Sequence, residues 1–154
     1  MRAVVQRARD GEVRVADRVV GAFAGPGLVV LVGVTHGDTV DGARRLADKV
    51  VDLRIFDGPT EQSAADLGLP LLVISQFTLY GQTRKGRRPT WEQAAPGHVA
   101  EPLVRAVVDR VRERGLVVAT GEFGADMHVS LVNEGPMTVI LDLPPTGADE
   151  VSPD

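Results

Sequence analysis

Leu71-Leu72-Val73-Ile74-Ser75-Gln76-Phe77-Thr78-Leu79 is the stretch that decides the fold of this chain. Its first half, which follows Pro70, is a continuous apolar run rich in branched residues and predicts a buried strand. Its second half places hydroxyl, amide and backbone N–H groups at the rim of the core. Ligands often bind at the carboxyl ends of strands in sheets covered by helices, so this end is a candidate site. Ser75 and Thr78 also have a plainer interpretation, as residues that only terminate the strand.

Strands are predicted on both sides of this stretch. Asp10-Gly11 and Asp17-Arg18 predict turns near the N-terminus, and Gly25-Pro26-Gly27 predicts a break before a central strand. Residues 60–68 are predicted as a loop or a short helical turn, and residues 80–97 as a long polar loop. The predicted strands cover residues 3–8, 12–15, 19–23, 28–34, 53–56, 116–120, 127–132 and 137–143.

Two helices interrupt the strands. Apolar residues from Val40 to Val51 follow one helical face, with Asp38 or Thr39 as the cap. The second helix is predicted over residues 98–114 and ends at Gly115. Strands therefore outnumber helices in one α/β domain that covers residues 1–143. The Pro-, Gly- and acid-containing segment 144–154 is predicted to be a flexible tail.

Composition limits the classes of protein to which the chain can belong. Its 154 residues, 44% hydrophobic and 25% charged, suit one globular domain with a sizeable core. The absence of cysteine excludes disulfides and thiolate chemistry. No apolar run is long enough to cross a membrane and no leader precedes the first strand. We therefore expect a cytoplasmic protein without a membrane partner.

The charge of the chain argues against a general coat protein for nucleic acids. The net charge is −4 and the isoelectric point is near 5.4. One local exception is Arg84-Lys85-Gly86-Arg87-Arg88, which concentrates four cations in a predicted loop. This loop can meet a few phosphates, or it can be an ordinary solvated surface loop.

The side chains offer little catalytic machinery. His36, His98 and His128 are scattered without ligand spacing, so no metal site is predicted. No phosphate-cradling loop is present, and no cofactor is predicted. Ser75 and Thr78 are hydroxyls without the Gly-x-Ser-x-Gly elbow of serine hydrolases. If the chain is an enzyme, backbone donors or the substrate itself must perform much of the chemistry.

A second motif lies near the C-terminus. Asn133-Glu134-Gly135-Pro136-Met137-Thr138, taken alone, is a turn between two strands. Together with Ser75-Gln76-Phe77-Thr78-Leu79, it resembles the paired signature of the D-aminoacyl-tRNA deacylase family. The resemblance covers nearly all of residues 1–143. Further matching segments are Arg2–Ala8, Arg54-Ile55-Phe56, Gly86–Pro89 followed by Trp91, and Phe123–Asn133.

Two departures from the family pattern are visible. The segment from Asp57 to Leu69 is shorter than usual and lacks a Gly-Lys-Met-Asn-like sequence, which affects a wall near the pocket. Met137 stands where valine is commoner, a modest change of volume on a strand.

The resemblance implies a fold, an activity and an assembly. The fold would be a single α/β domain with mixed, mainly antiparallel sheets packed with two main helices in β/β/α layers. The reaction would be hydrolysis of the ester that joins a D-amino acid, or glycine, to the terminal ribose of tRNA. The assembly would be a homodimer in which Gly135-Pro136, with a cis bond, enters the other subunit's pocket and excludes L side chains.

The resemblance also implies roles for individual residues. Backbone N–H groups of Phe77 and Thr78, next to Ser75, would stabilise the oxyanion, with proton transfer aided by the ribose 2′-hydroxyl. Thr78 as nucleophile is the alternative. Gln76 and Phe77 would hold the terminal adenosine. Arg7 would orient the Gly-Pro loop and Met127 would line the pocket. The implied substrate-binding residues are Gly135, Pro136, Met127, Arg7 and Asn133.

Two other functions compete with this one. A small-molecule esterase or amidase would turn over a D-aminoacyl ester that lacks RNA. A catalytically inert, dimeric RNA-binding module would bind RNA without chemistry. The acidic isoelectric point and the few aromatic residues (four Phe, one Tyr, one Trp) count against the second.

Overall fold

The computed structural model describes residues 1–145. The predicted tail lies almost wholly outside the described residues, which end before Thr146. The strands are β1 (Arg2–Val15), β2 (Arg18–Gly33), β3 (Arg54–Phe56), β4 (Gln62–Ser63), β5 (Leu71–Ser75), β6 (Val118–Thr120) and β7 (His128–Asp142). The helices are α1 (Val40–Asp52), α2 (Ala64–Leu67), α3 (Gly97–Glu113) and a 3₁₀ helix at Phe77–Tyr80.

The main sheet has the strand order β6-β5-β2-β1-β7. β5 pairs in parallel with β2 on one side and with β6 on the other, whereas β1 pairs antiparallel with β2 and β7. Leu71 to Ile74 are almost fully buried, as their continuous apolar run predicts. The α/β class with a mixed sheet and two main helices is therefore confirmed. No helix within residues 1–145 has the length and apolar character needed to cross a membrane.

The two long helices pack together over one face of this sheet. Thr39 caps α1, because its hydroxyl accepts a hydrogen bond from the Gly42 N–H (3.1 Å). An ion-pair network joins the helices at the surface. The Arg110 guanidinium donates to Asp48, which also accepts from Arg114, and these bonds hold the pKa of Asp48 below its usual value. The buried side chains of the two helices include Leu46, Val50, Leu103, Val107 and Val111.

Two predicted interruptions of the first strands are wrong. Asp10-Gly11 does not turn the chain but forms a bulge in β1, where Arg9 pairs with Pro26 and Gly11 pairs with Phe23. The turn lies at Ala16-Asp17, whose φ angles are 47° and 64°. Gly25-Pro26-Gly27 lies inside β2 and does not end it. The Gly25 N–H donates to the Asp10 carboxylate (2.7 Å), so the two irregular segments support each other.

The C-terminal break is also smaller than predicted. Asn133-Glu134-Gly135-Pro136 does not separate two strands, because β7 continues through it. Ala8 pairs with Asn133 and Gln6 pairs with Thr138, so four residues of β7 lie opposite the single residue Arg7. The extra residues bulge outward as a loop. We call residues 134–137 the Gly-Pro loop.

The outer half of the β1–β2 hairpin covers the second face of the sheet. A second buried cluster forms there, in which Val13 and Val29 pack with Leu72 and Ile74 of β5. The ring of Phe23 fills the crease between Gly11 and Gly27, since a Cβ on either glycine would lie 2.7 Å or less from a ring carbon. The outer part of the hairpin therefore covers one face of the sheet, and α1 and α3 cover the other, in the expected β/β/α layers.

Gly27→Ala should destabilise the fold. The added methyl would lie 2.6 Å from both the Phe23 ring and the Pro70 carbonyl oxygen, and the latter is backbone that cannot rotate away. Overpacking of this kind costs about 1–3 kcal/mol of unfolding free energy, which urea denaturation measures. Gly42→Ala is the matched control, because a Cβ there meets only the Thr39 hydroxyl at 3.5 Å in a helix that favours alanine. Equal midpoints for the two variants would contradict this account of the crease.

Candidate active site

A cavity of about 540 Å³ lies near the end of β5. It opens where β2 and β5 end, and α3 and the segment after β6 form its other walls. Among the predicted site residues, Ser75, Gln76, Phe77 and Met127 line it. Thr78 is exposed beside it, and the residues of the Gly-Pro loop do not form part of its described wall. Other lining residues are Val34, Trp91, Ala95, Phe123 and Val129.

The 3₁₀ helix leaves two backbone donors at the cavity's edge. The Gln76 N–H still belongs to the sheet and donates to the Val32 carbonyl (2.8 Å), whereas the first bond of the helix runs from Leu79 N–H to Gln76 (3.3 Å). The N–H groups of Phe77 and Thr78 come after the last hydrogen bond of the sheet and before the first hydrogen bond of the helix. The first N–H groups of a helix have no acceptor within the helix. No side chain caps this helix start. Within residues 1–145, both N–H groups are thus available to a ligand.

The Thr78 hydroxyl has an amide partner, not a base. The Gln76 side-chain NH₂ donates to Thr78 Oγ1. An amide nitrogen cannot accept the hydroxyl proton, so this contact does not activate Thr78 as a nucleophile. The pair instead fixes the Gln76 side chain at the mouth of the cavity.

Arg2 holds the 3₁₀ helix in place. Its guanidinium donates to the Leu79 carbonyl (2.9 Å) and lies 5.0 Å from the centre of the Tyr80 ring. Asp142 on β7 accepts from the same guanidinium at 2.6 and 3.2 Å, and this hydrogen bonding raises the pKa of Arg2. Burial raises the pKa of Tyr80. No role for Arg2 could be inferred from the sequence, because its contacts are made across 77 and 140 positions of the chain.

Two aromatic rings form the rim of the cavity. Phe77 and Trp91 meet edge to face, with ring centres 5.3 Å apart and planes at 74°. Both remain accessible, with 56% of Phe77 and 43% of Trp91 exposed. Trp91 also covers Gly81, where a Cβ would lie 2.7 Å from the indole ring. The predicted polar loop therefore contributes an aromatic wall that its composition did not reveal.

The Gly-Pro loop is held from below and presents its corner to solvent. The Arg7 guanidinium donates to the carbonyls of Glu134 (3.0 Å) and Ile55 (2.8 Å). The Asn133 side-chain NH₂ donates to the carbonyls of Arg7 (3.0 Å) and Met137 (3.3 Å). Gly135 and Pro136 are exposed, and the peptide bond between them is cis.

The histidines take part in none of this. The His36 ring bonds to the Glu92 carbonyl at 2.8 Å, and His98 and His128 lie exposed on other elements. Within residues 1–145, no three His, Asp or Glu side chains come close enough together to hold a metal ion. The polar groups at the cavity are amides, hydroxyls and backbone N–H groups, together with the acidic residue Asp126.

Within residues 1–145, the candidate site is a cavity at the end of a buried strand, with two backbone N–H donors at its edge and no histidine in its wall. The chain belongs to the D-Tyr-tRNA(Tyr) deacylase family, whose model matches residues 4–142. A relative named D-aminoacyl-tRNA deacylase from Acidothermus cellulolyticus is 60% identical over 143 residues, covering 93% of this chain and 99% of the relative. The same name is given to a relative from Kineococcus radiotolerans, 60% identical over 142 residues and covering 92% and 99% of the two chains.

Solved structures show the same fold. A structure named c-Myc DNA Unwinding Element Binding Protein matches with a TM-score of 0.85 and 33% identity, over 94% of this chain and 99% of the other. A probable eukaryotic D-amino acid tRNA deacylase matches with a TM-score of 0.81 over 92% and 98% of the two chains. At 21% identity, that second match bears on the fold alone.

Proposed function

We propose that this chain is a D-aminoacyl-tRNA deacylase that works in the cytoplasm. It hydrolyses the ester between a D-amino acid and the terminal ribose of tRNA, and it releases the free D-amino acid and the tRNA. The observation that carries the proposal is the pair of free N–H groups, Phe77 and Thr78, at the edge of a cavity. The relatives' shared name supplies the substrate class.

The chemistry proceeds through an oxyanion. Water adds to the ester carbonyl, and the N–H groups of Phe77 and Thr78 donate to the oxygen on which negative charge develops. Each such donor contributes about 10²–10³ in rate. The bond to the ribose oxygen then breaks, and that oxygen leaves with a proton relayed by the neighbouring 2′-hydroxyl of the substrate. No side-chain base is needed, in agreement with the amide partner of Thr78.

The terminal adenosine of tRNA binds at the aromatic rim. The Phe77 ring, more than half exposed, offers a stacking surface, and Gln76 offers hydrogen bonds to the base or ribose. Stacking of a base on an aromatic side chain contributes about 1–3 kcal/mol. Ser75 and Met127 line the same cavity, in which the amino acid is held.

A second copy of the chain supplies the chiral filter. Its Gly135-Pro136 corner enters the cavity, where carbonyl oxygens and the proline ring crowd the α-carbon and exclude an L side chain. Two observations support this role: the corner is exposed, and it does not line the cavity of its own chain. β7 is an edge strand on which Val132 and Ile140 are 60% and 68% exposed, so it offers apolar surface for a homodimer. Glycine lacks a side chain to exclude, so glycyl-tRNA is a further substrate.

Parallel assays on D-Tyr-tRNA, L-Tyr-tRNA and a D-tyrosyl ester without RNA test the proposal. Of the three substrates, only D-Tyr-tRNA should be hydrolysed rapidly, because only this substrate makes the adenosine contacts and also passes the chiral filter. Comparable turnover of the simple ester would identify a small-molecule esterase instead. Binding of tRNA without hydrolysis would identify an inert RNA-binding module. Equal rates on D- and L-Tyr-tRNA would overturn the filter.

Thr78→Ala should keep most of the deacylation rate. The substitution removes the hydroxyl but keeps the backbone N–H, so the loss should stay below the about 10²–10³-fold cost of removing an oxyanion donor. Single-turnover rates on D-Tyr-tRNA measure this loss. Thr78→Ser is the matched variant. If Thr78→Ser is active and a folded Thr78→Ala is inert, Thr78 is the nucleophile after all.

Arg7→Lys should weaken the preference for D substrates. A single ammonium group cannot reproduce the guanidinium fork that joins the Glu134 and Ile55 carbonyls, and each bond to a charged group contributes about 1.5–3 kcal/mol. The ratio of kcat/KM for D-Tyr-tRNA to that for L-Tyr-tRNA should fall about tenfold or more.

Arg9→Lys is the control for this variant. Within residues 1–145, the one hydrogen-bond partner of the Arg9 guanidinium is the Glu134 carboxylate, and Arg9 is 56% exposed, whereas Arg7 is 13% exposed. Its D-to-L ratio should stay near that of the unaltered protein. An unchanged ratio in Arg7→Lys as well would show that the orientation of the loop does not set the filter.

A further inference from the structure

The cations of this chain are divided into two groups. Most arginines lie within 4.0 Å of a carboxylate, either between helices, as in the pairs of Arg110 and Arg114 with Asp48, or between strands, as in Arg2 with Asp142. The side chains of Arg84, Lys85, Arg87 and Arg88 are exposed and have no carboxylate partner within residues 1–145. Lys49 and Arg54 are also exposed and without a carboxylate partner within residues 1–145, but they lie on other elements. Free positive charge is thus concentrated at residues 84–88, which we call the basic loop.

The basic loop is attached directly to the rim of the cavity. Gln82 and Thr90 exchange two backbone hydrogen bonds, of 2.9 and 3.1 Å, and these close the loop at its base. The Gln82 side chain also donates to Gln93 (2.9 Å). Trp91, the residue after this base, packs against Phe77 at the cavity mouth. The loop therefore projects from the place where the end of a tRNA would enter.

We infer that the basic loop binds the phosphate backbone of the tRNA acceptor stem while the 3′ end occupies the cavity. This inference rests on the proposed function and extends it from the terminal adenosine to the stem. The rest of the chain carries a net negative charge, because the whole is −4 while the loop contributes four cations. A polyanion is therefore attracted at the loop and repelled elsewhere. The loop cations lose no internal ion pair on binding, and guanidinium groups bind phosphate oxygens in a bidentate manner.

Phosphate contacts suit an enzyme of this specificity. They fix the position of a nucleic acid without reading its sequence, so one loop serves tRNAs with different acceptor stems. The loop residues 84–88 contain no aromatic side chain on which an unpaired base could stack. Duplex phosphates, rather than bases, are the ligand that this composition fits.

The test compares two paired substitutions in the loop with a control of equal charge. Arg84→Gln with Lys85→Gln, and Arg87→Gln with Arg88→Gln, each remove two cations, as does the control Lys49→Gln with Arg54→Gln. kcat and KM are measured on D-Tyr-tRNA between about 50 and 200 mM salt. Two phosphate contacts make kcat/KM fall about tenfold over this range, so the loop variants should show a salt dependence weaker by that factor. Their KM should rise at low salt, with kcat unchanged.

A second substrate distinguishes a loop that binds the acceptor stem from a loop that only stabilises the shape of the cavity. On a D-tyrosyl ester of the terminal CCA trinucleotide, which lacks the stem, all three variants should match the unaltered protein. Equal losses on this fragment and on tRNA would overturn the inference, because the loop would then act on the cavity. An unchanged salt dependence in both loop variants, or the same change in the control, would also overturn it.

Failure of the proposed function would be recognised separately. In that case the unaltered protein itself would not hydrolyse D-Tyr-tRNA. Binding of uncharged tRNA, followed by fluorescence anisotropy against salt concentration, then tests the loop alone. Weaker salt dependence in the loop variants and not in the control would support the phosphate site, and identical curves would refute it. Thermal unfolding of each variant checks that the fold is intact.

Discussion

The structure depends on the burial of β5 between two parallel neighbours and two layers of side chains. A strand covered on both faces must direct its polar groups out of its end, because an unpaired N–H in the core costs free energy comparable to a lost hydrogen bond. At Gln76 the last sheet bond is made to Val32, and the chain then tightens into the 3₁₀ helix. Within residues 1–145, the change from sheet to helix leaves the N–H groups of Phe77 and Thr78 without an acceptor, and Phe77 lines the cavity. The candidate site is thus a consequence of where the strand stops.

Donors that belong to the main chain need support from the elements around them. Arg2 provides it from the neighbouring β1 by binding the Leu79 carbonyl, and Gly33 provides room, since a Cβ there would lie 3.1 Å from the Gln76 carbonyl oxygen and from Leu79. The Gly-Pro loop is supported in the same way, because Arg7 donates to the Glu134 carbonyl and Asn133 donates to the Met137 carbonyl. The side chains of Arg2, Arg7 and Asn133 thus hold the backbone of both motifs in position.

The sequence predicts the regular elements because their periodicity is a property of neighbouring residues. The continuous run at β5 and the apolar faces of α1 and α3 all appear near their expected positions. The strand interruptions at Asp10-Gly11 and Gly25-Pro26-Gly27 are predicted wrongly, because both sequences are compatible with a bulge as well as with a turn. The pairing with the neighbouring strand decides between the two. At the site, the two motifs indicate the residues through their family resemblance. Arg2 and Trp91 lie in segments that match the family, but their contacts could not be predicted because they depend on residues brought close by the sheet and by the loop's return.

Most arginines of this chain fall into two groups, those that form ion pairs within the fold and those exposed in the basic loop. Arginines that join helices or strands are neutralised by Asp or Glu, so they add no net attraction for a polyanion. The excess of acid over the whole surface then opposes indiscriminate binding of nucleic acid. Among residues 1–145, the cations without a carboxylate partner lie mainly in the basic loop, which is joined to the rim of the cavity at Trp91. The proposed action of an acidic protein on an RNA end therefore depends on the position of a few unneutralised charges and not on the total charge.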